Sequence, residues 1–233
     1  MSKCVNRMFL LDPNHLHPDV DYVLDFQREC RPYAEGDFAP NPLFRSINTK
    51  KLDALPSFNL FLPLLDNYER GKGVAEKVTY TEKKETQAFL AHAVASAPMQ
   101  FLQKVLVAQG KVGAGRGAMK NLLQEIWFDL YARGGRVKDS SGFEHVFIGE
   151  EKDGKVTGMH NWLQLLNEER HGRFNFEGHY KPKRRSNTNA MERYEKERIA
   201  TLKFSWYGEP KPKSTTMFGI TPEFEMAMCV NYD

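Results

Sequence analysis

Two histidines sit in local sequence dense enough to suggest chemistry. His145 lies within Ser140-Ser141-Gly142-Phe143-Glu144-His145-Val146-Phe147-Ile148-Gly149-Glu150, and His160 within Gly158-Met159-His160-Asn161-Trp162. Imidazole both gives and takes protons near neutrality. Fifteen residues separate the pair, with a turn signal at Lys152-Asp153-Gly154-Lys155. A strand, that turn and a returning segment would bring both rings to one cleft; the other reading is two half-buried structural histidines. On a strand, Glu144 faces away from His145 while Phe147 shares its side. A third segment, Trp206-Tyr207-Gly208-Glu209-Pro210-Lys211-Pro212-Lys213-Ser214-Thr215, holds a lysine between two prolines. The stiff backbone would present the Lys211 ammonium at a fixed place, or form a surface turn.

Other chemistry-bearing features read as structural. His15, His17, His92, His171 and His179 have no partner pattern. Gly110-Lys-Val-Gly113-Ala-Gly115-Arg-Gly117 leads into a helix, but no strand precedes it and no Lys-Ser/Thr follows. It reads as an interhelical connection rather than a phosphate loop. The basic run Lys181, Lys183, Arg184 and Arg185 is a solvated surface unless a cleft nearby needs phosphate contacts.

Residues 1–135 read mainly as helices. Pro18, Asp19, Tyr22, Val23 and Phe26 have helical spacing after an N1 proline. An apolar segment interrupted by Pro63 runs from Phe61 to Tyr68. Thr79-x-x-Glu82 is a capping box ahead of Phe89, Leu90 and Val94, and Ser96 with Pro98 restarts a helix. The apolar rhythm predicts a helix over 118–133, closed by Gly134-Gly135. Residues 136–233 read as β-rich, with strands at Phe143–Ile148, Arg173–Phe176, Thr201–Tyr207, Thr215–Phe218 and Phe224–Val230. A short helix, Asn161–Glu169, lies among them, and a charged helix is predicted over Met191–Ile199. The expected class is α+β: a helical N-terminal lobe followed by an antiparallel β-sheet catalytic lobe.

The 233 residues, 41% hydrophobic and 27% charged, describe a folding chain rather than a disordered one. Thirty-three Lys+Arg against 30 Asp+Glu leave a net charge of +3, too near neutral to demand a polyanionic partner. No apolar run reaches the length of a membrane span, and Met8–Leu11 is too short for a signal core. Cys4, Cys30 and Cys229 form no metal or disulfide spacing, which suggests a reducing compartment, cytoplasmic or nuclear, unless a secretion signal has been removed.

Taken together, Ser141–Glu150, His160-Asn161-Trp162, Trp206-x-Gly-x-x-Lys211 and Thr221-Pro-Glu-Phe-Glu-Met-Ala227 resemble, in order, the EndoU (XendoU-like) family of uridylate-preferring endoribonucleases. Pro63-Leu-Leu-Asp-Asn-Tyr68 matches the family too, so the resemblance covers most of the chain. It implies His145, His160 and Lys211 as catalytic residues and Glu144 and Glu150 as acidic supports. Ser214 or Thr215 would be the hydroxyl lining the site. Lys213 and the run Lys183, Arg184 and Arg185 would contact RNA.

The implied activity is cleavage of single-stranded RNA at uridylates by attack of the 2′-hydroxyl, leaving a 2′,3′-cyclic phosphate. That needs a base, an acid and a cation, which two imidazoles with unperturbed pKa about 6.5 and an ammonium supply. His160 is assigned as base and His145 as acid. The resemblance implies stimulation by Mn²⁺, or by Ca²⁺, with ligands left open. No obligate protein partner is evident, and a monomer is expected. Many relatives continue past the Pro-Glu-Phe-Glu segment into a tail that lines the uracil site, whereas this sequence reads Val230-Asn231-Tyr232-Asp233 there. The alternative expectation is therefore an RNA-binding protein of EndoU fold with weak or no cleavage.

Overall fold

The computed structural model describes residues 3–30, 35–133, 136–180 and 198–230. Helices fill the first half: α1 (Lys3–Leu11), α2 (Thr49–Ala54), α3 (Pro56–Asn59), α4 (Tyr80–Ala95), α5 (Ala97–Ala108) and α6 (Arg116–Leu123). A two-stranded ribbon, β1 (Tyr22–Leu24) with β2 (Phe44–Ile47), interrupts them. The hairpin β3 (Glu150–Lys152) and β4 (Lys155–Thr157) follows, then α7 (Trp162–Arg170). The antiparallel sheet β5 (Phe174–Tyr180), β6 (Ile199–Trp206) and β7 (Glu209–Met217) comes next, in that order across the sheet. A last helix, α8 (Pro222–Val230), closes the described chain. The class is α+β, N-terminal helices with a C-terminal antiparallel sheet.

Local signals account for the helix starts. Thr79 and Glu82 form the full reciprocal capping box of α4. Ser96 caps α5 through Met99 N, and Asn161 caps α7 through Gln164 N. The glycine-rich connection joins α5 to α6, pinned where Gln103 Nε2 donates to the carbonyls of Gly113 and Gly115. In the sheet, Leu202, Phe204 and Trp206 alternate inward along β6. β7 is an edge strand, where Pro210 and Pro212 are tolerated because no further strand needs their N–H.

Four sequence expectations are corrected. Residues 18–26 do not form a helix. Asp19 takes φ +61 and Tyr22–Leu24 pairs with β2, so extended pairing overrides the helical spacing. The helix expected over 118–133 ends as a π turn at Gln124–Phe128, after which Tyr131 pairs with Ser140. Phe143–Ile148 is not a strand but a helical stretch ending in a π turn over Glu144–Ile148. Phe224–Val230 is helical, with Pro222 in the first turn and Thr221 Oγ1 accepting from Phe224 N. Both misread segments are almost wholly buried, and burial on every side erases the period that separates helix from strand. The predicted closing pair Gly134-Gly135, positions 191–197 of the predicted charged helix and the basic run 181–185 lie outside the described residues; the last residue of that predicted helix, Ile199, instead begins β6.

One contiguous core joins these elements, from Val5 and Met8 through Phe89 and Leu102 to Phe204 and Phe224. Phe143 stacks on Phe128 and Phe147, each at 4.8 Å between centroids. Burying a phenylalanine of this kind is worth about 1.5–3 kcal/mol, so the ring fixes the 141–148 turn against the helical half. Gly142 permits that approach, since a Cβ there would lie 2.6 Å from the Ile126 carbonyl oxygen. Gly142→Ala is therefore expected to lower unfolding free energy by about 1–3 kcal/mol, read from urea titration.

Candidate functional site

The centre begins at the turn carrying His145. Ser141 N donates to Glu144 Oε2 at 3.2 Å and Glu144 N to Ser141 Oγ at 3.0 Å, a capping box that starts the turn. The turn closes by Gly149 N donating to the Glu144 carbonyl, which leaves the carbonyls of His145 and Val146 without partners inside it. They accept Met159 N at 3.0 Å and His160 N at 2.8 Å. Gly158 (φ +67) and Met159 (φ +58) bring the chain there. A Cβ on residue 158 would fall 1.8 Å from the His145 carbonyl oxygen, so glycine is obligatory.

The two imidazoles end 6.5 Å apart between centroids, inclined at 63°. His145 Nδ1 lies 3.1 Å from Glu150 Oε2. Glu150 is buried and also accepts from Arg133 Nη1 at 2.7 Å, Thr157 Oγ1 at 3.1 Å and Ser140 Oγ. Burial would raise its carboxyl, but the hydrogen bonds from His145 and Ser140 and the Arg133 charge hold it down to about 2. It is ionised at neutral pH.

His160 is wired differently. Its Nδ1 lies 3.0 Å from Ser214 Oγ and 3.2 Å from the Thr215 carbonyl oxygen. The single Ser214 hydroxyl proton goes to the Met159 carbonyl at 3.0 Å. Both Nδ1 neighbours are then acceptors, which puts the proton on Nδ1 and leaves Nε2 bare. Burial, then the Lys211 charge, lower the His160 pKa, with His145 adding to them and the Thr215 hydrogen bond opposing. Lys211 is nearly buried on β7, and burial lowers its own pKa.

His145, His160, Glu150, Ser214 and the Lys211 charge thus belong to one centre. Glu144 lies beneath it as a helix-capping group rather than beside the ring. Burial, then Glu150 and Glu76, push its carboxyl up to about 9, so it is neutral at pH 7. The Thr215 hydroxyl turns away to Thr201 Oγ1 at 2.9 Å, and only its carbonyl serves His160. Lys213 is exposed further along the same strand. Lys183, Arg184 and Arg185 lie outside the described residues.

Several supports escaped the sequence reading. Arg133, Ser140 and Thr157 converge on Glu150 from three segments, a long-range arrangement with no local signature. Asn161, which caps α7 beside His160, donates through Nδ2 to Glu225 Oε2 at 2.7 Å. The Thr221-Pro222-Glu223 helix-start pattern is the signal that would have turned Glu225 inward. Burial, partly offset by Asn161, pushes the Glu225 carboxyl up to about 8.

The donors do not fit a resident hard cation. Such ions need several ionised oxygens, but Glu144 is neutral and the Glu150 oxygens are committed to four protein groups. Among the described residues no three His, Cys, Asp or Glu side chains are grouped to hold a metal ion.

A sequence model described as endoribonuclease XendoU matches residues 1–231. The chain belongs to the XendoU endoribonuclease family. It is 35% identical over 98% of its length to "Uridylate-specific endoribonuclease C" of Danio rerio, covering 74% of that protein. It is 34% identical to "Poly(U)-specific endoribonuclease" of Xenopus tropicalis, covering 98% of this chain and 78% of that one. The solved structure titled "The structure of XendoU: a splicing independent snoRNA processing endoribonuclease" superposes with a TM-score of 0.82 at 31% identity. The match covers 97% of this chain and 80% of that one. Among the described residues of this XendoU-family chain, no helix is long and apolar enough to cross a membrane.

Glu225 makes the fold sensitive to pH. A carboxyl whose pKa is raised on folding stabilises the fold while protonated. That contribution is complete below about pH 4.5 and is lost as pH rises through about 8. Glu225→Gln keeps an acceptor for Asn161 and is expected to flatten melting temperature against pH across this window. The variant should be the more stable protein at pH 8.

Proposed function

We propose that this chain cleaves single-stranded RNA, preferentially at uridylates, by moving the 2′-hydroxyl onto the adjacent phosphorus. His160 Nε2 takes the 2′-hydroxyl proton as the O2′–P bond forms. His145, oriented through Nδ1 by Glu150, gives its Nε2 proton to the departing 5′-oxygen as the P–O5′ bond breaks. The ends are a 2′,3′-cyclic phosphate and a 5′-hydroxyl. Lys211 faces the charge that builds on the phosphorane, and DNA is inert because it lacks the internal nucleophile.

The observation that carries this reading is the opposite wiring of two adjacent imidazoles. One Nδ1 is tied to an ionised carboxylate, the other to neutral acceptors near an ammonium. The uridylate preference is supported by the names of the relatives rather than by a pocket. Stimulation by Mn²⁺ or Ca²⁺ is assigned to the folding of the RNA, not to bond making, because the centre's carboxylates are unsuited to holding the ion. Glu150, with Arg133, Ser140 and Thr157 around it, serves to orient His145.

With a short uridine-containing RNA, wild type should yield cyclic-phosphate ends over many turnovers. His145→Ala and His160→Ala should each lose about 10²–10⁴-fold in kcat. Ends bearing a 3′-hydroxyl, or both variants at full activity, would overturn the mechanism. Salt-sensitive RNA binding without turnover would favour the binding-only reading instead.

His160 gives a second test. Its lowered pKa places the rising limb of kcat/KM against pH below 6.5. Lys211→Met removes one of the influences lowering that pKa, so the His160 titration followed by NMR should move upward. Its kcat should fall by about 10²–10³-fold. An unmoved titration would mean that the ammonium does not face the base.

A further inference from the structure

Tyr207 stands at the tip of the β6–β7 hairpin, half-exposed, where most large side chains of this chain are covered. It takes φ +51, a left-handed conformation costly for an aromatic residue. Its N–H donates to the Arg173 carbonyl at 2.8 Å. The Arg70 guanidinium lies 4.4 Å from the ring centroid and that of Arg173 5.8 Å away, while Trp206 meets the ring edge-on at 5.5 Å.

Both arginines are already neutralised. Arg173 forks onto Glu168 at 2.9 and 2.6 Å, and Glu168 also accepts Trp206 Nε1 at 2.7 Å. Arg70 lies 3.5 Å from Glu151, and its carbonyl accepts Glu151 N. What the cluster offers solvent is therefore flat, polarisable surface held in place, not net positive charge. Such a surface suits an unpaired base better than a phosphate. Its backbone leads to the centre by two routes: Tyr207 is four residues before Lys211 on the same hairpin, and Arg70 is pinned to Glu151, the residue after Glu150.

We propose that Tyr207 and Arg70 form a stacking subsite for an unpaired nucleobase of single-stranded RNA flanking the cleaved linkage. The proposal rests on the RNA-cleaving reading above and extends it to a second nucleotide. The Arg70 guanidinium lies over the Tyr207 ring, and a base would extend that stack, which takes any base because every base has a π face. Its contribution is insensitive to salt, unlike that of phosphate contacts.

The test compares a uridine-containing RNA hexamer with a minimal uridine dinucleotide, for wild type, Tyr207→Ala and Tyr207→Phe. In wild type, kcat/KM should favour the hexamer. Tyr207→Ala should cut that preference about tenfold through KM, Tyr207→Phe should retain it, and the salt slope of hexamer binding should not change. An undiminished preference in Tyr207→Ala, equal losses on both substrates, or a shallower salt slope would overturn the subsite. If wild type cleaves neither RNA, the proposed function fails by itself. Fluorescence binding of the hexamer to wild type and Tyr207→Ala then decides the subsite separately.

Discussion

Two backbone hydrogen bonds carry the rest of the arrangement: Met159 and His160 N–H groups donating to the carbonyls of His145 and Val146. A helical stretch that stops after one π turn leaves its last carbonyls open, and buried carbonyls must find donors. Here the returning chain supplies them, so satisfying the turn and bringing the second histidine to the first are one event. The cost is two consecutive left-handed residues, one of which must be glycine for want of space. Strain of about 1–3 kcal/mol per such residue persists only where surroundings enforce it. Phe143 beneath the turn and Asn161 beyond it do so.

The sequence made the chemistry more legible than the geometry. His145, His160 and Lys211 stand out by type and local density, and the fifteen-residue return was read correctly as bringing two rings together. The route was misread, because Phe143–Ile148 is a helical turn and not a strand. Ser141-x-x-Glu144 was a readable capping box there, overshadowed by β-branched and aromatic residues. The resemblance places Glu144 among the acidic supports, and in the structure it caps the turn as a neutral acid. The same masking hid α8, where apolar residues on all sides leave no stripe to see. Arg133 and Thr157 were illegible for another reason: they meet on Glu150 from separate segments, which no local pattern announces.

Buried carboxyls surround the centre in two protonation states. Glu150 is kept ionised by several donors and an arginine, while Glu144 and Glu225, each with a single donor, are kept neutral by burial. Burying an unpaired carboxylate is expensive enough that the group binds a proton instead. The neutral pair thereby serve as hydrogen-bonding supports, one under each histidine-bearing segment, without adding negative charge. Among the described residues, Glu150 is then the ionised carboxylate in contact with an imidazole of the centre, and that imidazole is His145.

On the proposed mechanism, that asymmetry is what tells the two rings apart. Two identical side chains 6.5 Å apart would by themselves titrate as a coupled pair with no assigned roles. The protein separates them by second neighbours. An anion at Nδ1 favours the charged ring, while neutral acceptors at Nδ1 together with a cation nearby favour the uncharged one. Each pKa unit of separation is worth about 1.4 kcal/mol of preference for one protonation pattern. With neutral acceptors at Nδ1 and the Lys211 charge nearby, His160 Nε2 is left open. On the proposed mechanism, the folded chain itself thereby distinguishes the two rings before any RNA arrives.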